Sequence, residues 1–386
     1  MRKSISIVCI LLFLFLFSGC GSVSKADGID SVTYISDIAS APPREESDSL
    51  TENGPIFSAE TLAELNGIDF SSSVYLLFMN EALENVLASY DVAPENIPAL
   101  EVLLEDGSVI TAKEFCETYA KNEFKWVCLL AADYKNSGGD LTQCAHYREA
   151  SAKANAAYGK DASMYSAFDI GLSDLILYYL YTDLYYDDFV LKYSPGGERG
   201  INENDLSLLM DNNARKISYT FLPFYDENTN RDFSADEKSE LLKQSEEYLK
   251  RYKSGESFSK IVKENYLLLD SYHMSFDPNE TFLYYSTADP MLPSSITDLA
   301  EKLKEHEAAL VKDDDFVSVV LRLPINENKD EKWMVFAMDL AYRSNYGDMF
   351  SEEISFAYDD LNLKYNEDVH SKLTLENLIT ARYEVK

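Results

Sequence analysis

The sequence predicts an α+β chain on three observations. Residues 213–265 alternate with period two over Ile217, Tyr219, Phe221 and Pro223, then pass through an acidic turn into a helical stripe of Leu241, Leu242, Ser245, Tyr248, Leu249 and Tyr252. Two further strand patterns, 282–285 and 316–323, follow with a helical stripe between them, while the stretch before 213 carries helical stripes. The apolar share, 46% of 386 residues, is ample for a sizeable core and for two domains.

In chain order, the first segment is an address. Arg2 and Lys3 precede an apolar run from Ile5 to Phe17, too short to span a bilayer comfortably and built like a secretory signal. Phe17-Ser18-Gly19-Cys20 resembles the lipobox of bacterial lipoproteins, although Phe17 stands where that pattern carries Leu, Val or Ile. The resemblance implies a signal peptide over 1–19 and diacylglycerol on the Cys20 thiol; an uncleaved anchor or a plain signal peptide is the alternative. Acyl chains contribute about 0.8 kcal/mol per buried methylene, so a multi-chain lipid on Cys20 would hold the protein at a membrane. Residues 20–56 are polar and without periodicity, and read as a tether. The net charge of −33, or −35 once Arg2 and Lys3 leave, argues against nucleic acid and against unanchored adsorption to anionic lipid.

Past the tether, a short segment ends at Asn66-Gly67, and a helix capped by one of Ser71 to Ser73 carries Val74, Leu77, Phe78, Ala82, Val86 and Leu87. A second helix spans 111–135 and stops before Gly138-Gly139; a third, alanine-rich, spans 141–158. A tyrosine-dense helix follows, up to Pro195-Gly196-Gly197, and reads either as core packing or as an aromatic binding surface. Asn202 and Asp205 open a short helix that delivers the chain into the strand at Ile217. Ser234 and Glu237 form a capping box for the long helix, which stops at Gly255, and Ser257 opens another. Downstream lie the 282–285 strand, a helix opened by Ser294 or Ser295, a short strand at 308–311, the 316–323 strand and helices from Trp333 and Phe350. Cys116, Cys128 and Cys144, an odd number without CxxC spacing, read as buried thiols, although one pair could bridge.

Strand, long helix, short helix, strand, helix, then two strands is the element order of a parvulin domain. Together with the segments 62–75, 201–222 and 254–265, this order resembles the PrsA/SurA-type foldases, extracytoplasmic chaperones whose helical domain flanks a parvulin-type peptidyl-prolyl isomerase domain. The resemblance implies a helical chaperone-like domain over 57–213, a parvulin-like domain with a small mixed sheet over 214–326, and a helical segment over 327–386 packing on the first. It implies unfolded secreted polypeptides as partners and no cofactor. It also implies a peptide cleft at Tyr219, Met291, Ile296 and Ser318. The family's two histidine positions fall on Ser218 and Ser318. Prolyl isomerisation has a barrier of roughly 20 kcal/mol, lowered by holding the twisted amide in an apolar cleft with directed hydrogen bonds, so two serines imply weak or lost activity.

Other chemistry is thin. His146, His273, His306 and His370 fall in no zinc motif and read as surface residues, with His273 and Met274 able to line a cleft. Asp226, Asn228, Asn230, Asp232, Ser234 and Glu237 take the odd-numbered and twelfth places of a calcium loop, although Arg231 replaces its turn glycine. The competing reading of that turn is a solvated strand-to-helix connection closed by the capping box. No GxSxG, P-loop or dinucleotide motif is present. A surface lipoprotein binding a ligand or cell-wall partner through the tyrosine-dense helix is the reading from another class.

Overall fold

The computed structural model describes residues 57–90, 92–104, 106–226, 231–270 and 281–384. Cys20, the signal and the tether lie outside the described residues, as do Asn228, Asn230, His273 and Met274. The described chain is α+β and falls into two units, one made of 57–200 and 347–384 and the other of 201–346.

The first unit opens with a hairpin, β1 (Thr61–Leu65) and β2 (Ile68–Ser71), turned by Asn66 and Gly67 at φ of 54° and 73°. That left-handed pair is why an Asn-Gly dipeptide stands there. Ser71 then caps α1 (Ser72–Ser89) by accepting from the Ser73 N–H at 3.1 Å. The first two turns of α1 are buried all round, which makes it the central helix rather than a one-faced one. A second hairpin, β3 (Glu101–Leu103) and β4 (Val109–Thr111), leads to α2 (Ala112–Asn136), capped by Thr111 accepting from Glu114 N–H at 3.1 Å. Next come α3 (Tyr147–Ala167) and α4 (Leu172–Tyr193), packed on each other, with α4 also against α1 and α2.

The second unit begins with α5 (Glu203–Asn213), capped by Asn202, and β5 (Ala214–Tyr219). β6 (Leu222–Pro223), β7 (Tyr225–Asp226) and β8 (Arg231–Asp232) are two-residue pieces ahead of α6 (Ala235–Lys253) and α7 (Phe258–Asp270). β9 (Leu283–Ser286), α8 (Ser294–Lys302), β10 (Ala308–Lys312), β11 (Phe316–Leu323) and α9 (Glu331–Tyr342) complete it. The sheet order is β10-β11-β5-β9, with β6 also on β11. Every pair is antiparallel, where a mixed sheet is expected, because the tight β10–β11 turn and the β5–β9 pairing both reverse the chain.

The sheet has two covered faces. Val317, Val319 and Leu321 of β11 pack with Leu241, Tyr248, Phe258, Ile261 and Val262 of α6 and α7. Phe316 and Val320 pack with Ile217, Val311, Tyr285 and with Ile296 and Ala300 of α8. This alternation follows the period of two along β11. The divisions between units fall after Gly200 and after Tyr346, outside the expected 213/214 and 326/327, because α5 and α9 pack together. Asn326 ties that corner, donating to Asp211 Oδ1 at 2.8 Å and accepting from Trp333 Nε1–H at 3.1 Å.

The chain then returns to the first unit through α10 (Asn345–Asp360), α11 (Glu367–His370) and α12 (Leu375–Glu384). α12 lies on α1 and α2, with Arg382 donating to Asn80 Oδ1 at 3.0 Å. Near the end of α4, Lys192, only 4% exposed, sits 2.6 Å from Asp133 and 3.0 Å from the buried Asp188. Burial holds the Asp188 carboxyl above the ordinary carboxylate range, against the pull of Lys192. Cys116, Cys128 and Cys144 are buried and free, and burial pushes the Cys116 and Cys144 thiols up to about 12, so all three are packing groups rather than nucleophiles.

Candidate functional site

β5 and β11 position the residues on which the expected site depends. Across the pair, Ser218 stands opposite Leu321 and Tyr219 opposite Val320. Ser218 therefore shares the α6/α7 face with Leu321, whereas Tyr219 shares the α8 face with Val320, Phe316 and Ser318. The two serines at the expected histidine positions lie on opposite faces of one sheet and form no pair.

Their hydroxyls are also occupied. Ser318 is 0% exposed and its Oγ–H donates to the Thr220 carbonyl at 2.5 Å. Thr220 answers across the same strands: its N–H donates to Val319 O and its Oγ1 accepts from Val319 N–H, both at 3.0 Å. Ser218, 2% exposed, donates to the Thr281 carbonyl at 2.5 Å. Buried hydroxyls spent on backbone carbonyls satisfy the strand crossing and leave no donor for a bound amide.

The α8 face does carry an apolar surface. Tyr219, Phe221, Leu283 and Leu292 are half-buried around the fully buried Ile296, with Phe221 and Phe316 rings 4.9 Å apart. Burial raises the Tyr219 phenol, which stays neutral, and its hydroxyl makes no hydrogen bond to a described residue. Of the four expected cleft residues, Tyr219, Ile296 and Ser318 come together here. Met291 does not: it is 92% exposed, and Leu292 is the residue of that loop that packs on the face.

One positioning residue has no signal in the sequence. Asn265 of α7 is 0% exposed, accepts from Phe221 N–H at 2.8 Å and donates to Phe221 O at 3.0 Å. A side-chain amide here imitates a neighbouring strand where the backbone passes between β5 and β6 and holds Phe221 in place.

The described flank of the acidic turn, Arg231 to Glu237, is closed on itself. Arg231 forks onto Glu237 at 2.9 and 2.7 Å, and Glu237 also accepts from Ser234 N–H at 2.8 Å and Ser234 Oγ–H at 2.7 Å. These bonds hold the Glu237 carboxyl well below the usual range, Arg231 first. The carboxylate that would clasp a calcium ion is thus held by a neighbouring guanidinium, while Asp232 sits in β8 as an exposed residue. Among the described residues no group of three or more His, Cys, Asp or Glu is arranged to hold a metal.

The remaining candidates are absorbed by packing. On α4, Tyr178 and Tyr181 donate to Glu81 and Glu123 at 2.8 and 2.9 Å and both contact Phe78, while Tyr185 meets Phe350. His146 bonds the buried Asp187 at 2.7 Å, and His370 lies between the Tyr75 and Tyr365 rings, so these two are half-buried rather than surface histidines. No helix of the described residues is long and apolar enough to cross a membrane.

Fold and face together define an α+β chain in which a domain built on a five-stranded antiparallel sheet lies, in sequence, between the two halves of a helical unit. No family model and no curated protein matches the chain. Among solved structures it is similar to PrsA of Bacillus subtilis, at 14% identity and a TM-score of 0.34 over 72% of this chain and 98% of that one. It is similar to the foldase PrsA of Streptococcus pneumoniae at 13% identity and TM-score 0.30, over 72% of this chain and 100% of that one. A SurA-like chaperone of Campylobacter jejuni gives 14% identity and TM-score 0.18 over 78% of this chain and 96% of the other. Overlaps this loose add no weight to the reading of the face, which rests on the strands and side chains above.

Proposed function

We propose that this chain is an extracytoplasmic foldase or holdase of the PrsA/SurA type, tethered to the membrane through lipid on Cys20. It binds unfolded secreted polypeptides, and its prolyl isomerase activity is weak or lost. The observation that carries the reading is the insertion: residues 201–346 form a sheet domain between the two halves of one helical unit, in the element order of a parvulin domain. The loss of isomerisation is supported by Ser218 and Ser318, both buried, both bonded to carbonyls and facing opposite ways. Client binding would use apolar and aromatic surface such as Tyr219, Phe221 and Leu292, with the dense acidity keeping complexes soluble.

The test is suppression of aggregation of a chemically denatured client by the purified mature chain. Light scattering should fall as the chain approaches equimolar, and no effect at several-fold excess would sink the proposal. A proline-peptide assay run in parallel should show no more than a trace rate. Incorporation of labelled palmitate in cells, lost on Cys20→Ala, tests the tether.

A further inference from the structure

The helical unit holds a cavity of about 550 Å³ between α2 and the 361–367 connection, and its wall has the wrong sign for this protein. The chain carries 67 acidic residues against 34 basic ones, yet Lys121, Lys125 and Lys364 line the cavity against the single acid Glu367. Many lysines here are neutralised by a carboxylate, as Lys113 is by Glu376, Lys153 by Glu149 and Lys312 by Glu246. The three cavity lysines make no ion pair among the described residues.

Two of them are held by aromatic rings instead. Lys125 Nζ lies 4.1 Å over the Tyr358 ring and Lys121 Nζ 5.9 Å over Tyr365. Those rings are themselves fixed, Tyr358 stacked on Trp126 at 4.3 Å and Tyr365 on His370 at 4.9 Å. A ring face positions an ammonium without cancelling its charge. Lys121 and Lys125 are one turn apart on α2 and leave the same face of the helix.

We infer that this cavity binds a compact, multiply charged phosphate, a monoester or a diphosphate, whether free in solution or carried on a lipid headgroup. Size follows from the charge of the chain. At physiological salt, fields fade over about 8 Å, so an anion confined to the cavity feels chiefly the three amines, whereas a long polyanion would run onto acidic surface and be repelled. Phosphate rather than carboxylate follows from the donors. No arginine lines the site to match a planar carboxylate, and several lysine point charges suit a tetrahedral, multiply charged anion. Leu361 and Leu363, which also line the cavity, offer apolar contact to the ester's organic part.

Calorimetric titration of the mature chain with pyrophosphate, with soluble dihexanoyl phosphatidic acid and with hexaglutamate tests this at 0.15 M salt. Saturable one-site binding of either phosphate probe is expected, and which binds tighter identifies the source. Lys121→Gln/Lys125→Gln should weaken it by about tenfold or more at unchanged melting temperature, since charge-assisted contacts are lost without core damage. Lys160→Gln, at an exposed lysine of α3 that makes no ion pair among the described residues, should leave it intact. Three results overturn the inference: no saturable binding of either phosphate, equal loss in Lys160→Gln, or hexaglutamate binding as tightly as pyrophosphate.

Discussion

Replacing Ser318 by alanine separates a structural serine from a catalytic one. The hydroxyl is wholly buried and its one visible bond is to the Thr220 carbonyl at 2.5 Å. Removing it leaves that carbonyl short of a partner inside the sheet, a loss of about 1–3 kcal/mol. The cavity left by one oxygen is small, and alanine is less costly to bury than serine, so the lower half of that range, roughly 1–2 kcal/mol, is expected. For a unit of this size each kcal/mol moves the midpoint by roughly 2–4 °C, so the second unit should melt about 5 °C lower. Urea unfolding followed by tyrosine fluorescence measures the stability, and a protease-coupled proline-peptide assay measures the rate in the same samples. Stability should fall while any residual isomerase rate stays where it was. The opposite pattern, a lost rate at unchanged stability, would show that Ser318 serves catalysis and that its burial has been misread.

Other consequences follow from neighbouring residues. Asn265→Ala orphans both the N–H and the carbonyl of Phe221 and should cost about 3 kcal/mol, with hydrogen exchange at the Phe221 amide rising before that of β11; an unchanged exchange rate would refute the clamp. Lys192→Met strands Asp188 in the interior and should cost about 3–5 kcal/mol at neutral pH. Because the folded carboxyl is then raised further above its unfolded value, its contribution is fully present below about pH 4 and is lost as pH rises through the folded value. The variant should therefore regain stability on acidification, and adding Asp188→Asn should remove that pH dependence. Glu237 is depressed in the fold, so the stability it lends is present above the ordinary carboxylate range and lost as the pH falls below it. Glu237→Gln should flatten the acid limb of the melting profile, and millimolar calcium should leave the wild-type melting temperature unmoved; a calcium-dependent rise would show that the ion displaces Arg231.

Local signals carried far in this chain. The Ser234–Glu237 box, the helix opening at Asn202 and the strand 316–323 are all where the residues place them, because each depends on atoms within a few positions. At Asn66-Gly67 the residues read only as the end of a short segment; Asn-Gly favours the left-handed turn of the hairpin found there, yet the flanking strands are too short to show alternation. The tyrosines of α4 could be read either way from spacing alone, and their glutamate and phenylalanine partners decide for packing.

The site was less legible because faces depend on register. Whether Ser218 or Tyr219 looks toward Ser318 turns on a single residue of strand alignment, and only the pairing of β5 with β11 sets it. Met291 and Leu292 differ likewise by one position in a loop, and which of them packs is decided by the face they meet. By itself, the sequence determined most of the longer elements and their order, since caps, turns and apolar periods are short-range; it did not show the short hairpins β1–β2 and β3–β4, and the third helix, expected over 141–158, runs Tyr147–Ala167. The tertiary structure alone decided that both serine hydroxyls are spent, that Asn265 braces Phe221 from 44 residues away, and that three lysines meet around one cavity. Each of those is a contact between distant segments, and no local preference specifies its partner.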